Sequence, residues 1–150
     1  MLKGLSPVLS PDLLYTLASM GHGDEIVIGD GNFTAATLAQ RLIRLDGHGV
    51  PEVLDAILDL FPLDTFVAQP VALMEVVPGD PTVPTIWDEY KRIISAKDEI
   101  FTKGSANVED SIEMVERFAF YERTKKAFAV VATGETALYA NIILKKGVVV

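Results

Sequence analysis

Short apolar runs alternate with segments of helical spacing along the whole chain. No other feature narrows the possible folds as far. Glu25-Ile26-Val27-Ile28-Gly29, Arg41–Leu45, Val71–Val77, Phe128–Gly134 and Asn141–Leu144 read as strands, and turn residues such as Asp30-Gly31-Asn32, Asp46-Gly47 and Pro78-Gly79-Asp80-Pro81 close several of them. Glu113–Phe118 is a further short strand. Between them, Ser10-Pro11-Asp12 opens a helix with Ser10 as cap and Pro11 in the first turn. Leu13, Leu14, Leu17 and Ala18 share its face, and Gly21 ends it in a left-handed cap. Val53, Leu54, Ile57, Leu58 and Phe61 define a helix over 50–61, and Ile86, Tyr90, Ile93, Ile94 and Lys97 define one from Thr85 to about Ile100. Phe120–Ala127 is a last helix, and 102–110 a polar loop. Alternation of this kind predicts an α/β protein with helices on both faces of one sheet. No repeat or linker interrupts it, so residues 1–150 form a single domain.

Charge and composition remove several functions. The chain carries 13 Lys and Arg against 21 Asp and Glu, a net charge of −8, which disfavours nucleic acid as a partner. It has no cysteine, so disulfide scaffolds, zinc–cysteine sites and cysteine nucleophiles are excluded. No run approaches the roughly 18 apolar residues of a membrane helix, and no basic segment followed by an apolar run opens the chain, so no membrane association and a cytoplasmic protein are expected. The charge is uneven: Arg117, Arg123, Lys125, Lys126, Lys145 and Lys146 make the last 34 residues basic and the rest strongly acidic. An acidic face can meet a basic one within the chain or between subunits.

Few residues can do chemistry. Two histidines far apart make no metal site, and none is expected. His48, in Asp46-Gly47-His48-Gly49, reads as a solvated turn residue. His22 lies between a helix end and a strand start in Gly21-His22-Gly23-Asp24, flanked by glycines that leave its ring uncrowded. It suits either the dipole at a helix C-terminus or acid–base work near neutral pH. Gly29-Asp30-Gly31-Asn32-Phe33-Thr34 is a poor dinucleotide fingerprint, with Thr34 for the third glycine and a carboxylate where pyrophosphate would approach. Asp30 nevertheless follows a strand end, where α/β sheets bind ligands, and a carboxylate accepts hydrogen bonds from sugar hydroxyls. Tyr139-Ala140-Asn141 offers a phenol and an amide just before the last strand.

Together these segments resemble the RbsD/FucU sugar mutarotase family, and its L-fucose branch most. The matching blocks run in order: Leu2-Lys3, Ser6-Pro7, Ser10-Pro11, Met20–Ile26, Asp30 with Phe33, Arg117–Arg123, Lys126–Ala129, Thr133-Gly134-Glu135 and Tyr139–Val148. The resemblance implies a three-layer α/β/α sandwich around a mixed, largely parallel sheet. It implies a ring-shaped homo-oligomer, a decamer being one candidate size, and cofactor-free exchange of the α and β anomers of a free monosaccharide, L-fucose or a related sugar. It assigns the proton donor to His22, and sugar contacts to Asp30, Arg117, Tyr139, Ala140 (through its backbone) and Asn141. Two departures bear on the sugar. Asn32 stands where fucose-type members carry a second histidine, and Tyr-Ala-Asn is closer to the ribose-type pattern than Tyr-Gly-Asn. A D-ribose-type enzyme and a sugar-binding oligomer without activity are the alternatives.

Overall fold

The computed structural model describes residues 1–104 and 106–150. Among these described residues six strands form one sheet: β1 (Glu25–Gly29), β2 (Leu42–Leu45), β3 (Val71–Met74), β4 (Ile112–Val115), β5 (Ala129–Thr133) and β6 (Ile142–Lys145), in the order β2-β5-β1-β6-β3-β4. All neighbours pair parallel except β6, which runs antiparallel between β1 and β3. The sheet is therefore mixed and largely parallel.

Side chains alternate between two covered faces, as the strand pleat requires. Ile26, Ile28, Val71, Leu73, Val131, Ile142 and Leu144 join the larger core, under α1 (Pro11–Ser19), α3 (Val50–Leu58) and α4 (Ile86–Lys97). Val27, Ala72, Met74, Val130 and Ile143 join a smaller one, under α2 (Ala35–Leu38) and α6 (Arg117–Lys126). Burial on both faces explains why β3 and β5 are apolar throughout. Among the described residues no helix is long and apolar enough to cross a membrane.

The local expectations hold with corrections. Ser10 Oγ accepts the N–H of Leu13 at 3.2 Å and caps α1. The left-handed glycine, however, is Gly23 (φ 85°) and not Gly21, because the chain leaves α1 through an extended Met20. The 113–118 segment is not all strand. β4 ends at Val115, and Glu116 turns its carboxylate onto the N–H groups of Phe118 and Ala119, starting α6 at Arg117. The helix expected from Thr85 to about Ile100, α4, stops at Lys97, where Asp98 caps the short α5 (Glu99–Thr102). The 102–110 loop contains a 3₁₀ turn starting at Val108, and Ser105 within it lies outside the described residues. Helix α2, only one turn long, left no periodic pattern to read. Part of the charge asymmetry closes within the chain: Arg123 of α6 reaches Glu25 at 2.6 Å and Glu113 at 2.8 Å.

Candidate active site

Strand direction sorts the candidate residues onto two opposite edges of the sheet. β1, β3, β4 and β5 end, and the antiparallel β6 begins, on the same edge. Asp30, Arg117 and the Tyr139–Asn141 segment all lie there. His22 precedes β1 and lies on the other edge. The full length of β1 separates it from Asp30, on the order of 20 Å of extended chain.

On the first edge, Asp30 is buried at 8% exposure. Its N–H donates to Asn141 Oδ1 at 2.8 Å, and its carboxylate accepts the N–H of Asn32 at 3.0 Å. Burial pushes the Asp30 carboxyl up, aided by the nearby Glu135 charge, and outweighs the backbone N–H groups of Asn32, Ala140 and Phe33 that favour the ionised form. Asn141 Oδ1 is committed to Asp30, so its Nδ2 is the group left to donate outward. Asn32 itself is exposed at the mouth.

The Tyr139–Asn141 segment is held from below by α4. Tyr139 has φ 56°, a left-handed backbone that a bulky residue adopts only when its surroundings fix it. Here Trp87 Nε1 donates to the Tyr139 carbonyl at 2.8 Å, and the Tyr90 hydroxyl donates to the Ala140 carbonyl at 2.6 Å. Tyr90 and Ala140 are both fully buried. The backbone of Ala140 thus faces inward, its carbonyl on Tyr90 and its N–H toward Asp30. The Tyr139 phenol donates to Asp80 and takes a long bond, 3.4 Å, from the N–H of Val77. Toward a ligand it therefore offers a lone pair.

Arg117 opens α6 beside a hollow of about 100 Å³ that it shares with Glu75, Val77, Pro78 and Phe118. Its Nε donates to the Tyr121 hydroxyl at 3.0 Å, and that bond, with the charges around it, raises the guanidinium further above its ordinary range. Asp30 lines a separate hollow of about 150 Å³ with Gly31, Phe33, Arg44 and Asp46. Gly134 lets the wall close, since a side chain there would collide with the Asp46 carbonyl. Glu135 ties this wall to α3 by accepting the N–H of Val50 at 3.1 Å.

On the opposite edge, the turn holding His22 is pinned to β6 by the N–H of Gly23 on the Lys146 carbonyl, at 2.8 Å. The His22 side chain is 44% exposed, and its Nε2 lies 3.0 Å from Oδ1 of the buried Asp64. The Phe66 ring stands 5.0 Å away. Burial alone would raise the Asp64 carboxyl, but the Phe66 N–H, His22 and Lys145 outweigh it and hold it below the usual carboxylate range. A groove of about 680 Å³ runs along this edge past Phe61, Phe66, Lys97 and the tail Val148–Val150. His48 pairs with Glu52 at 3.0 Å on the first edge, a turn residue as expected.

Five of the six expected site residues therefore gather on one edge and His22 stands apart. The sequence reading missed Asp64, Asp80, Trp87 and Tyr90. Of these only Tyr90 carried a signal, its place in the apolar stripe of α4.

The chain matches the RbsD / FucU transport protein family over residues 3–149. It is 52% identical to the human fucose mutarotase, across 98% of this chain and 94% of that one. The solved fucose mutarotase of Streptococcus pneumoniae, in complex with L-fucose, is 52% identical and superposes with a TM-score of 0.90 over 99% of this chain and all of that one. Bacillus subtilis RbsD, complexed with D-ribose, shares the fold at a TM-score of 0.69 and 22% identity over the full length of both chains. With one fold, one order of motifs and agreement along nearly its whole length, this chain belongs to the RbsD/FucU family.

Proposed function

We propose that this protein is an L-fucose mutarotase, an isomerase that exchanges the α and β anomers of the free sugar in the cytoplasm. The observation that carries the reading is near-full-length identity of about half to relatives of that name, one of them holding L-fucose. The reaction moves protons and one C–O bond. A proton is delivered to the ring oxygen while the anomeric hydroxyl passes one to solvent water, from which the donor is reprotonated. The bond from the anomeric carbon to the ring oxygen breaks, the aldehyde turns about its carbon–carbon bond, and the ring closes on either face. His22 is the proton donor, and a positioned imidazole contributes roughly 10²–10⁴-fold. Asp30 accepts from sugar hydroxyls, Asn141 donates through Nδ2, Tyr139 offers its phenolic lone pair, and Arg117 donates to hydroxyl or ring oxygens. Ala140 acts through its backbone, which aims Asp30 and carries Tyr139.

The separation of His22 from the other five leads to a second part of this reading. The acid of one subunit serves the cradle of its neighbour, in a head-to-tail ring that closes on itself. Each edge leaves apolar side chains in water: Phe66 (78%) and Val149 (73%) beside His22, Phe118 (66%) and Leu138 (56%) beside the cradle. A contact between these edges covers both sets.

Saturation-transfer NMR on the anomeric protons of L-fucose, D-ribose and D-galactose tests the activity. Fastest exchange of L-fucose, unaffected by a chelator, is the expected result. Preference for D-ribose would move the protein to the ribose-type activity, which the Tyr139-Ala140-Asn141 pattern favours. Binding without exchange would leave a sugar-binding oligomer. Complementation tests the ring: His22→Ala and Asn141→Ala chains, each nearly inactive, regain part of the activity when refolded together. A monomer in light scattering, or an oligomer without regained activity, refutes it.

A further inference from the structure

After β3 the chain makes a tight turn, Val77-Pro78-Gly79-Asp80, that meets the cradle at Tyr139. The Asp80 N–H closes it on the Val77 carbonyl at 3.0 Å, with Pro78 and a left-handed Gly79 (φ 90°) in the two middle positions. The Asp80 carboxylate is then fixed through both oxygens. Its Oδ1 receives the N–H of Thr82 at 2.9 Å and the Thr82 hydroxyl at 2.6 Å. Its Oδ2 receives the Tyr139 phenol. These bonds hold the Asp80 carboxyl below the usual carboxylate range, so at neutral pH it is ionised and only accepts. The phenol has one proton, and among the described hydrogen bonds it donates to Asp80 alone. One lone pair of its oxygen takes the long bond from the Val77 N–H, and the other is open.

We infer that Asp80 is a specificity-determining residue that acts through Tyr139: it holds the phenol's only proton, so that Tyr139 accepts a hydrogen bond from a sugar hydroxyl and cannot donate one. This rests on Tyr139 being a sugar contact, as in the proposed function. At the sugar position that faces Tyr139 the site therefore requires a hydroxyl, and a group that only accepts, such as fluorine, leaves the phenol oxygen without a partner. Asparagine at position 80 reverses this. The Thr82 N–H still needs an oxygen, so the carboxamide keeps Oδ1 on Thr82 and turns Nδ2 to the phenol. Nδ2 donates to the phenol oxygen, and the phenol proton is released toward the ligand. A side chain of nearly the same shape thus turns an acceptor into a donor.

Calorimetric binding of L-fucose, and of its monodeoxy and monodeoxyfluoro analogues at each ring hydroxyl, tests it. In the wild type, deoxygenation at one position weakens binding by roughly 3–10-fold, the worth of a neutral hydrogen bond, and fluorine there does not restore it. In Tyr139→Phe that position no longer discriminates, which assigns it to Tyr139. In Asp80→Asn, L-fucose keeps its affinity within roughly 3-fold, because a hydroxyl can also accept, and the fluoro analogue at that position now binds more tightly than the deoxy one. A merely structural role for Asp80 would weaken all the analogues alike. That result, or an unchanged order of analogues in Asp80→Asn, overturns the inference. So does fluorine that replaces the hydroxyl without loss in the wild type, a comparison that decides the matter even if Asp80→Asn does not fold. Wild-type protein that fails to bind L-fucose strikes the proposed function and this inference together, whereas binding without any position assigned to Tyr139 strikes this inference alone.

Discussion

The two edges of the sheet are built to different standards of rigidity. On the cradle edge most functional groups are held by a partner far away in sequence, Asp30 by Asn141, Tyr139 by Trp87 and Ala140 by Tyr90, while Arg117 rests on its near neighbour Tyr121. Even the unfavourable backbone of Tyr139 is maintained by two aromatic donors from one helix. On the acid edge a four-residue turn presents a half-exposed ring with one carboxylate behind it. Recognition of several hydroxyls needs several groups in fixed relation, whereas proton transfer needs one group in one orientation. The difference in construction matches the difference in the tasks proposed for the two edges.

Removing the acid gives the largest effect. His22→Ala lowers anomer exchange by roughly 10²–10⁴-fold. It leaves buried Asp64 without its ring partner, which costs about 1–3 kcal/mol, so the variant remains folded but unfolds at lower denaturant. Exchange NMR beside urea titrations checks both numbers, and unchanged exchange would remove His22 from the chemistry.

On the cradle edge, Asp30→Asn weakens sugar binding by roughly 10–100-fold, the worth of a hydrogen bond to a charged group. Stability behaves differently. Because burial raises the Asp30 carboxyl in the fold, ionising it costs stability from about pH 4 upward, the unfolded carboxylate's range. The asparagine variant therefore loses little or no stability at pH 7, and it fares worse relative to wild type as pH falls toward about 4, where the wild-type penalty has gone. Calorimetry across that range, with sugar titrations at pH 7, separates the two effects.

A smaller loss comes from Tyr90→Phe, which touches no ligand. It leaves the Ala140 carbonyl without its buried donor, a cost of about 1–3 kcal/mol, and for a chain of this size each kcal/mol lowers Tm by about 2–4 °C. KM rises with it, because Tyr139 and Asp30 lose a common support. A change in Tm with no change in KM would show that the cradle does not depend on α4. Least of all, Asn32→His shifts the relative rates for L-fucose, D-ribose and D-galactose without altering Tm, since the side chain is exposed. Identical ratios would show that this position does not set preference.

Much of this was legible in the residues. The six strands, the main helices and both covered faces follow from apolar runs and spacing, and the resemblance supplied six expected site positions. What stayed hidden is what tertiary contact alone decides. Tyr90 reads as a member of an apolar stripe and Trp87 carries no signal, and nothing in the spacing tells where a hydroxyl or indole N–H will point. Asp64 and Asp80 lie in loops, where a carboxylate next to proline or threonine reads as turn chemistry. The start of α6 was misplaced because its cap is a glutamate, outside the residues that usually announce a helix. The two-edge division was invisible for a simpler reason: strand direction is a property of the sheet.

Strand β6 has a further meaning in this light. It is the antiparallel member of the sheet, so its first residues adjoin Tyr139–Asn141, its last residue Lys145 anchors the Asp64 segment, and the next residue, Lys146, anchors the His22 turn. One strand of four residues thus sets the distance between the His22 turn and the proposed cradle within a subunit. In a head-to-tail ring that internal length becomes the repeat of the assembly. Every subunit then belongs to two sites and every site to two subunits. A slip of one residue in β6 would mistune all the sites together, even with each catalytic side chain present.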